Sequence, residues 1–231
     1  YIGPRVEASV ISFNKLYTKW FAREIGIDIL DYQLIRKNEA FELKFNFPVI
    51  IKPLRLGSSI GVSIARSKEE LEYGLDVAFE FDDEVLIEPF IENIREFNIA
   101  GAKGREWILS NIEEPKKNEF LDFDKKYLDF SRQETISQAN IDNNLKEYIR
   151  NSFKKIYDPL FRGAIIRCDF FYYQDRLYLN EINPVPGSMA NYLFDDFNRV
   201  IDEVVSNLPS QKEIKVEYLY INKIQKAKGK A

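Results

Sequence analysis

The sequence contains no histidine and only one cysteine and one methionine among its 231 residues. Without histidine, a zinc site could be built only from acids and Cys168, which is a poor ligand set for that metal. A single cysteine excludes an internal disulfide and favours a reducing compartment, so we expect a cytoplasmic protein. The only methionine is Met189, so translation cannot begin within this stretch, and we expect further sequence before Tyr1.

Long apolar runs and basic clusters are missing as well. No stretch approaches the roughly 20 apolar residues of a membrane span, and no signal peptide is visible. The net charge of −4 and the pI of about 5.2 give no electrostatic footprint for nucleic acid. The sequence does have 45% hydrophobic and 14% aromatic residues, enough to bury a sizeable core. We expect a folded protein that binds neither membrane nor nucleic acid.

Strand-like and helix-like stretches alternate along the chain, with hairpins between some of the strands. We therefore expect an α+β (mixed α/β) protein whose sheets are mixed or antiparallel, with a boundary near residues 88 to 96. Ser67 and Glu70 form a capping box for a helix that reaches about residue 79. The other predicted elements are helices over 12–25 and 141–160, strands over 47–53 and 84–91, a hairpin over 96–112, and a lid or loop over 113–140.

Asp169, Glu181 and Asn183 lie in the strand-like runs "RCDFFYY" and "LYLNEIN". If residues 174–176 form a three-residue loop, Asp169 lies opposite Glu181. The same register places Arg167 opposite Asn183. Like charges directly opposite each other destabilise a hairpin, so we expect a cation between the acids, and oxygen ligands favour Mg²⁺ over zinc. A two-residue loop would put the acids on opposite faces, and a solvated face with an Arg-to-acid pair is an equally good interpretation of these residues alone.

A second candidate, "KPLRLGSSIG" over residues 52–61, has the composition of a phosphate cradle. Lys52 supplies a positive charge, and the glycines and serines supply backbone N–H groups and hydroxyls that a phosphate can approach. The sequence has neither a Walker A loop nor a G-x-G-x-x-G motif. On composition alone, a plain loop is the more frequent meaning of such a turn.

The order of these parts resembles the ATP-grasp superfamily, and within it the D-alanine–D-alanine ligases. The motifs that carry the resemblance are "FNKLYTK" (13–19), "FPVIIKPLRLGSSIGV" (47–62), "VLIEPFIENIREF" (85–97), "KKYLDF" (125–130) and "IIRCDFF" with "LYLNEINPVPGS" (165–188). The resemblance implies two lobes that enclose the nucleotide. Residues 1–88 would form the central lobe, with the Lys15 helix and the Gly/Ser loop. Residues 89–231 would form the C-terminal lobe, with the lid and a metal-binding hairpin.

The resemblance also implies how ATP and its metal ions are held. Lys15 and Lys52 would hold the ATP phosphates. Asp169, Glu181 and Asn183 would bind two Mg²⁺ ions, or Mn²⁺ in their place, that bridge those phosphates.

The adenosine part of ATP and the transferred phosphoryl group have their own implied residues. Glu88 would receive the adenine amino group, beside the Pro89 carbonyl and the Ile91 N–H. Glu96 would bind the ribose hydroxyls, and Ser59 would lie in the loop over the phosphoryl group.

The catalytic residues that the resemblance implies come from four parts of the chain. Ser58 would also lie over the transferred phosphoryl group. Tyr127 would come from the lid that closes on the substrate, next to Lys126, which would bind the nucleotide. Arg167 and the Gly187 N–H would form the oxyanion hole.

The implied reaction is the ATP-dependent ligation of two D-alanine molecules through a D-alanyl phosphate, for peptidoglycan precursor synthesis. Another ATP-grasp carboxylate–amine ligase, such as a D-alanine–D-lactate ligase, and a non-catalytic ATP-binding module are the alternatives. The family's substrates, D-alanine and ATP, would be the partners, and a homodimer is expected for the full-length protein.

Two features depart from the family pattern. Family members have an N-terminal domain before the "GPRVEAS" stretch, so this chain is expected to be a fragment that binds nucleotide weakly and ligates inefficiently by itself. After the Pro-Gly turn, Tyr192 stands where family members commonly have a serine that holds the carboxylate of the second substrate. A phenol can also donate a hydrogen bond, which leaves the identity of the second substrate open.

Overall fold

In a computed structural model, the chain forms two four-stranded sheets flanked by helices. The structure describes residues 1–115, 138–210 and 219–229. The strands are β1 (Gln33–Arg36), β2 (Val49–Pro53), β3 (Ser63–Ala65), β4 (Glu84–Pro89), β5 (Arg95–Lys103), β6 (Trp107–Leu109), β7 (Ile166–Tyr173) and β8 (Arg176–Asn183). The helices are α1 (Val6–Phe13), α2 (Lys15–Glu24), α3 (Lys68–Phe79), α4 (Asn143–Leu160), α5 (Phe197–Ser206), α6 (Leu219–Ala227) and a 3₁₀ segment, Gly187–Leu193. None of the described helices is both long and apolar enough to cross a membrane.

The first sheet has the strand order β1-β4-β2-β3, and its ladders are antiparallel. All five residues of β2 are buried because this strand lies inside the sheet and α3 packs over it. The predicted α3 cap is present: Ser67 Oγ accepts the Glu70 N–H at 3.3 Å. The Glu70 carboxylate accepts the N–H of Arg66 at 2.7 Å, one residue before the helix cap.

The second sheet has the order β6-β5-β7-β8 and is also antiparallel. Helix α4 packs on it through Leu145, Ile149, Phe153 and Ile156, whose spacing places them on one helical face. The predicted helix over 141–160 and hairpin over 96–112 are confirmed as α4 and the β5–β6 pair. The expected α+β class is confirmed too, with antiparallel ladders throughout the described sheets.

We predict that Gly101→Ala destabilises the second sheet. A Cβ on Gly101 would lie 2.8 Å from the Ile108 carbonyl oxygen and 2.9 Å from Phe153 Cε1, so the β5–β6 pair or α4 must shift. Overpacking of this kind typically costs about 1 to 3 kcal/mol. Thermal unfolding tests this against Gly57→Ala, whose Cβ meets nothing within 4 Å and should leave the melting temperature unchanged. Equal melting temperatures for the two variants would contradict the packing described here.

The predicted single helix over 12–25 is wrong at its start, because two helices meet at Asn14. The Asn14 side chain accepts the N–H groups of Leu16 at 3.0 Å and Tyr17 at 3.2 Å, which makes it the cap of α2. A capping side chain satisfies the first N–H groups of a new helix, so the chain changes direction here. This break places Lys15 at the first residue of α2.

Helix α2 contacts both sheets. Ala22 belongs to the core under the second sheet, whereas Leu16 packs with Leu86 of β4 and with Leu54, directly after β2. The division into lobes of residues 1–88 and 89–231 stays a prediction. What the packing adds is that α2 lies between the two sheets, so its polar side chains can reach groups from both.

Candidate active site

A one-residue bulge decides which side chains of β8 face the same side as Asp169. β7 and β8 join through a two-residue turn, in which Gln174 and Asp175 have left-handed φ angles of 49° and 57°. The predicted three-residue loop is therefore wrong, and a regular ladder from this turn would pair Asp169 with Asn180. The ladder instead shifts by one residue, so Asp169 pairs with Glu181. The predicted pairing of the acids is confirmed, but a bulge produces it.

Arg167 and Asp169 form a bidentate ion pair on β7. Arg167 donates from Nε to Oδ1 at 2.7 Å and from Nη2 to Oδ2 at 2.8 Å. The Asn183 amide donates a third hydrogen bond to Oδ2 at 3.0 Å. Although burial lowers the Arg167 pKa, the charge of Asp169 raises it overall, so the guanidinium stays protonated. The remaining terminal nitrogen, Nη1, lies 3.3 Å from the Tyr192 hydroxyl.

The Glu181 carboxylate lies beside this pair and has no hydrogen bond among the described residues. Burial and the charge of Asp169 raise its pKa, while Lys15 opposes the shift. In the described part of the chain, no cluster of three or more His, Cys, Asp or Glu side chains is placed to hold a metal ion. A site here would therefore use two carboxylates and the Asn183 amide oxygen. That all-oxygen donor set fits a hard cation such as Mg²⁺, which would also relieve the repulsion between the acids.

Lys15 reaches from α2 to the start of the Gly/Ser loop. Its Nζ donates to the carbonyl of Pro53 at 2.9 Å and to the carbonyl of Leu56. Burial lowers the pKa of Lys15 to about 8, although the negative charge of Glu181 opposes this. Because these two charges interact, the predicted phosphate loop and the predicted metal-binding hairpin lie next to each other.

A buried ion triad lies next to them. Lys52 on β2 donates to Glu88 Oε2 at 2.8 Å, and Lys19 on α2 lies 2.8 Å from Glu88 Oε1. Burial by itself raises the pKa of Glu88, but the charges of Lys19 and Lys52 lower it to about 2. Lys52 also donates to the amide oxygen of Asn180, the bulge residue of β8, at 3.2 Å. One lysine thus connects the first sheet to the second.

The Gly/Ser loop has an unusual backbone. Ser58 and Ser59 both adopt left-handed φ angles, 58° and 57°, a conformation that costs energy outside glycine and is concentrated at functional sites. Gly61 has a φ of 69°, and a Cβ there would lie 2.7 Å from the Phe81 ring. A Cβ on Gly57 would meet nothing within 4 Å, so the loop is open on that side.

The Pro-Gly turn after β8 places Tyr192 against Arg167. The segment Gly187–Leu193 contains three consecutive left-handed residues, Ser188, Met189 and Ala190. The Tyr192 hydroxyl lies 3.5 Å from Glu113 Oε2 as well as 3.3 Å from Arg167 Nη1. Burial raises the Tyr192 pKa to about 12, against the effect of the Arg167 charge, so the phenol stays protonated.

The other residues predicted to bind adenosine lie at the end of β4, on β5 and in the turn between these strands. Pro89 ends β4, Ile91 lies in the turn that follows, and Glu96 lies on β5 opposite Phe171. The predicted lid residues Lys126 and Tyr127 lie outside the described residues, as does most of the 113–140 lid.

Two polar residues of this site were missed by sequence reasoning. Lys19 is only 4% exposed, yet a lysine in an amphipathic helix resembles any surface lysine. Its position one helical turn after Lys15 was the signal that could have identified it. Asn180 contacts Lys52 because it is the bulge residue of β8, and no local sequence feature predicts that bulge.

The chain is similar to known proteins both in sequence and in structure. The family model described as "D-ala D-ala ligase C-terminus" matches residues 21–199. The D-alanine–D-alanine ligase of a Nitratiruptor species is 60% identical over 228 residues, which are 99% of this chain and 67% of that protein. The crystal structure of the Helicobacter pylori D-alanine–D-alanine ligase is 46% identical with a TM-score of 0.79, over 91% of this chain and 63% of that one.

A third similar structure informs the fold alone. It is a Bacillus anthracis D-alanine–D-alanine ligase complexed with ATP, 21% identical, with a TM-score of 0.65 over 90% of this chain and 67% of that one. The chain thus spans about two thirds of the length of the relatives that it matches. On these matches, the chain has the ATP-grasp fold and belongs to the D-alanine–D-alanine ligase family.

Proposed function

We propose that the protein containing this chain uses ATP to join two D-alanine molecules into D-alanyl-D-alanine. The observation that supports this most directly is the approach of two lysines to one carboxylate hairpin. Lys15 interacts with the charge of Glu181, and Lys52 donates to Asn180. Cations near a Gly/Ser loop and paired acids beside a guanidinium are the parts that phosphoryl transfer requires.

In the first step, a carboxylate oxygen of one D-alanine attacks the γ-phosphorus of ATP, and the bond to the β-phosphate oxygen breaks. The products are an acyl phosphate and ADP. Lys15 and Lys52 hold the phosphates, and the loop of Ser58 and Ser59 covers the transferred group. Asp169, Glu181 and Asn183 would hold Mg²⁺, which supplies charge neutralisation when it is bound.

In the second step, the amine of the other D-alanine attacks the acyl carbon and loses a proton. The tetrahedral intermediate then expels phosphate, which leaves the peptide bond. Negative charge develops on the former carbonyl oxygen. We assign Arg167 and the Gly187 N–H as its donors, because Arg167 stays charged and is oriented by both oxygens of Asp169.

The nucleotide roles of Glu88, Pro89, Ile91 and Glu96 are proposed from the family resemblance. The single cysteine, Cys168, is buried and free, which is compatible with the cytoplasm as the site of action. Homodimer formation by the full-length protein remains a prediction.

The test of this function is ADP formation by the complete protein supplied with ATP, Mg²⁺ and D-alanine. We expect ADP and D-alanyl-D-alanine in equal amounts. ADP formation that requires D-lactate would identify the depsipeptide ligase instead. The absence of ADP with either substrate would favour the non-catalytic ATP-binding module.

We predict that ATP affinity falls as the pH rises from 7 to 9, because Lys15 has a pKa of about 8 and binds phosphate only when it is protonated. One pH unit above its pKa, about a tenth of a group is protonated, so a loss of about tenfold is expected near pH 9. Lys15→Arg should flatten this profile, since arginine does not titrate in this range. Lys68→Arg, at an exposed site on α3, is the control and should keep the slope. An unchanged slope in Lys15→Arg would rule out Lys15 as its source.

Tyr192→Phe tests the contact with the second substrate. If the phenol donates to that substrate's carboxylate, its removal should raise the KM for the second D-alanine about tenfold, the contribution of one hydrogen bond to a charged group. Tyr172→Phe removes a hydroxyl that bonds Asp175 at the distant β7–β8 turn, and it serves as the control. An unchanged KM in Tyr192→Phe would exclude the phenol from this role.

A further inference from the structure

Three charged side chains of the site are buried together, so little solvent is available to stabilise their charges. Glu88 is 3% exposed, Lys19 4% and Lys52 8%. The two oxygens of Glu88 are divided between the lysines, with Lys19 on Oε1 and Lys52 on Oε2, each at 2.8 Å. In the proposed function Glu88 binds adenine and Lys52 binds phosphate, whereas in this structure the two side chains form an ion pair with each other.

The two lysines differ in where their other partners lie. Lys19 also donates to the Leu30 carbonyl at 3.2 Å, and its ammonium lies 5.3 Å from the centre of the Tyr32 ring. All of these partners precede β5 in the chain. The other partners of Lys52 lie on the second sheet: Asn180 of β8 accepts a hydrogen bond, and the Phe171 ring of β7 lies 5.9 Å away. Lys52 therefore bridges to the side of Glu181 and Lys15.

We propose that Lys19 is a positioning residue, the fixed counter-ion of Glu88 that lets Lys52 move from Glu88 to the nucleotide phosphates. This inference rests on the proposed function, in which Lys52 holds phosphate and Glu88 receives the adenine amino group. It adds a role for a residue to which the proposed function assigns no contact with the nucleotide.

The physical reason is the cost of a buried charge that has lost its partner. If Lys52 were the only cation on Glu88, its departure would leave an ionised carboxylate buried and unpaired, which is strongly unfavourable. With Lys19 on Oε1, one counter-ion remains after Lys52 leaves. The adenine amino group needs only one free lone pair, and a carboxylate offers about four, so adenine can bind whether or not Lys52 has moved.

The experiment compares ATP with adenosine, which has the base but no phosphates. In the complete protein, Lys19→Met should raise the ATP dissociation constant about tenfold or more, the usual contribution of a hydrogen bond to a charged group. The inhibition constant of adenosine should change much less, because adenosine does not require Lys52. Lys19→Arg keeps the charge and should restore ATP binding. Lys68→Met, on the exposed face of α3, is the matched control and should bind both ligands normally.

A double variant separates this role from a merely structural one. In Glu88→Gln no carboxylate retains Lys52, so adding Lys19→Met should weaken ATP binding no further than Glu88→Gln alone. Equal losses of affinity for ATP and adenosine in Lys19→Met, or no loss for either, would overturn the proposal that Lys19 lets Lys52 move from Glu88 to the phosphates. If Lys19→Met does not fold, Lys19→Gln removes the charge but keeps hydrogen-bond donors, and the same comparison applies.

The proposed function can fail separately. If Lys52→Met and Glu88→Gln both bind ATP as the unaltered protein does, the nucleotide roles of these residues are wrong, and the inference fails with them. If both variants weaken ATP binding but Lys19→Met does not discriminate ATP from adenosine, only the role of Lys19 is wrong.

Discussion

Arg167→Lys will lower kcat by roughly a hundredfold or more, the usual loss when one oxyanion donor is removed. Lysine keeps the positive charge but cannot reproduce the planar fork that holds both oxygens of Asp169 at 2.7 and 2.8 Å. The ammonium will be drawn to Asp169 and will no longer be fixed toward the reacting carbonyl. The KM for ATP should change little, because the lost interaction belongs to the acyl-transfer step.

The control for this variant is Arg176→Lys on the neighbouring strand. Arg176 also pairs with an acid, Asp28, at 3.0 Å, but its side chain is 60% exposed and far along β8 from the paired acids. Exposed ion pairs contribute little, so kcat should stay within about twofold of the unaltered enzyme. A kcat for Arg167→Lys equally close to that of the unaltered enzyme would contradict the oxyanion role.

Glu181→Gln will abolish most of the ligase activity and at the same time stabilise the metal-free protein. The activity should fall because an amide is a weaker ligand for Mg²⁺ than a carboxylate, and the site has only two carboxylates. The stability should rise because the half-buried Glu181 lies beside Asp169 and has no hydrogen bond to stabilise its charge among the described residues. Functional acids that repel each other in the free protein commonly cost stability.

The pH dependence gives the sign of this effect. Burial and Asp169 raise the Glu181 pKa above its ordinary 4.5, so the folded state binds this proton more tightly than the unfolded state. The stabilisation from the protonated Glu181 carboxyl is therefore fully present below pH 4.5 and is lost as the pH rises through the folded pKa. Thermal unfolding in the presence of a chelator should show Glu181→Gln more stable at pH 7 and equal to the unaltered protein near pH 4. If Glu181→Gln is less stable than the unaltered protein at pH 7, the charge of Lys15 fully offsets the repulsion between Glu181 and Asp169, and the predicted gain in stability is wrong.

The hairpin shows what sequence reasoning can and cannot reach. Alternation along two β-rich runs placed Asp169 opposite Glu181 only together with an assumed three-residue loop. The turn length was wrong, because Gln174 and Asp175 accept left-handed backbone angles and close a two-residue turn. Only the bulge at Asn180 restores the register, and the bulge residue has a contact from outside the hairpin, the hydrogen bond from Lys52 of the first sheet.

The buried triad marks a second limit. The capping box of α3 and the apolar face of α4 follow from short-range spacing, so they were predicted within a few residues. Lys19 is buried only because Glu88 comes from β4, a partner that lies 69 positions later in the chain. Residue types alone assign such a lysine to the surface, since buried lysines are rare unless they are paired. The pairing is a property of the tertiary fold.

Calorimetric titration of ATP into the complete protein, with Mg²⁺ and with chelator, tests the central claim that lysines and paired acids form one nucleotide–metal site. We expect tight binding with Mg²⁺ and much weaker binding without it. In Glu181→Gln the two titrations should become similar, because the metal ion loses its better ligand. Equal ATP affinity with and without Mg²⁺ in the unaltered protein, or an undiminished Mg²⁺ effect in Glu181→Gln, would contradict the assignment of this hairpin.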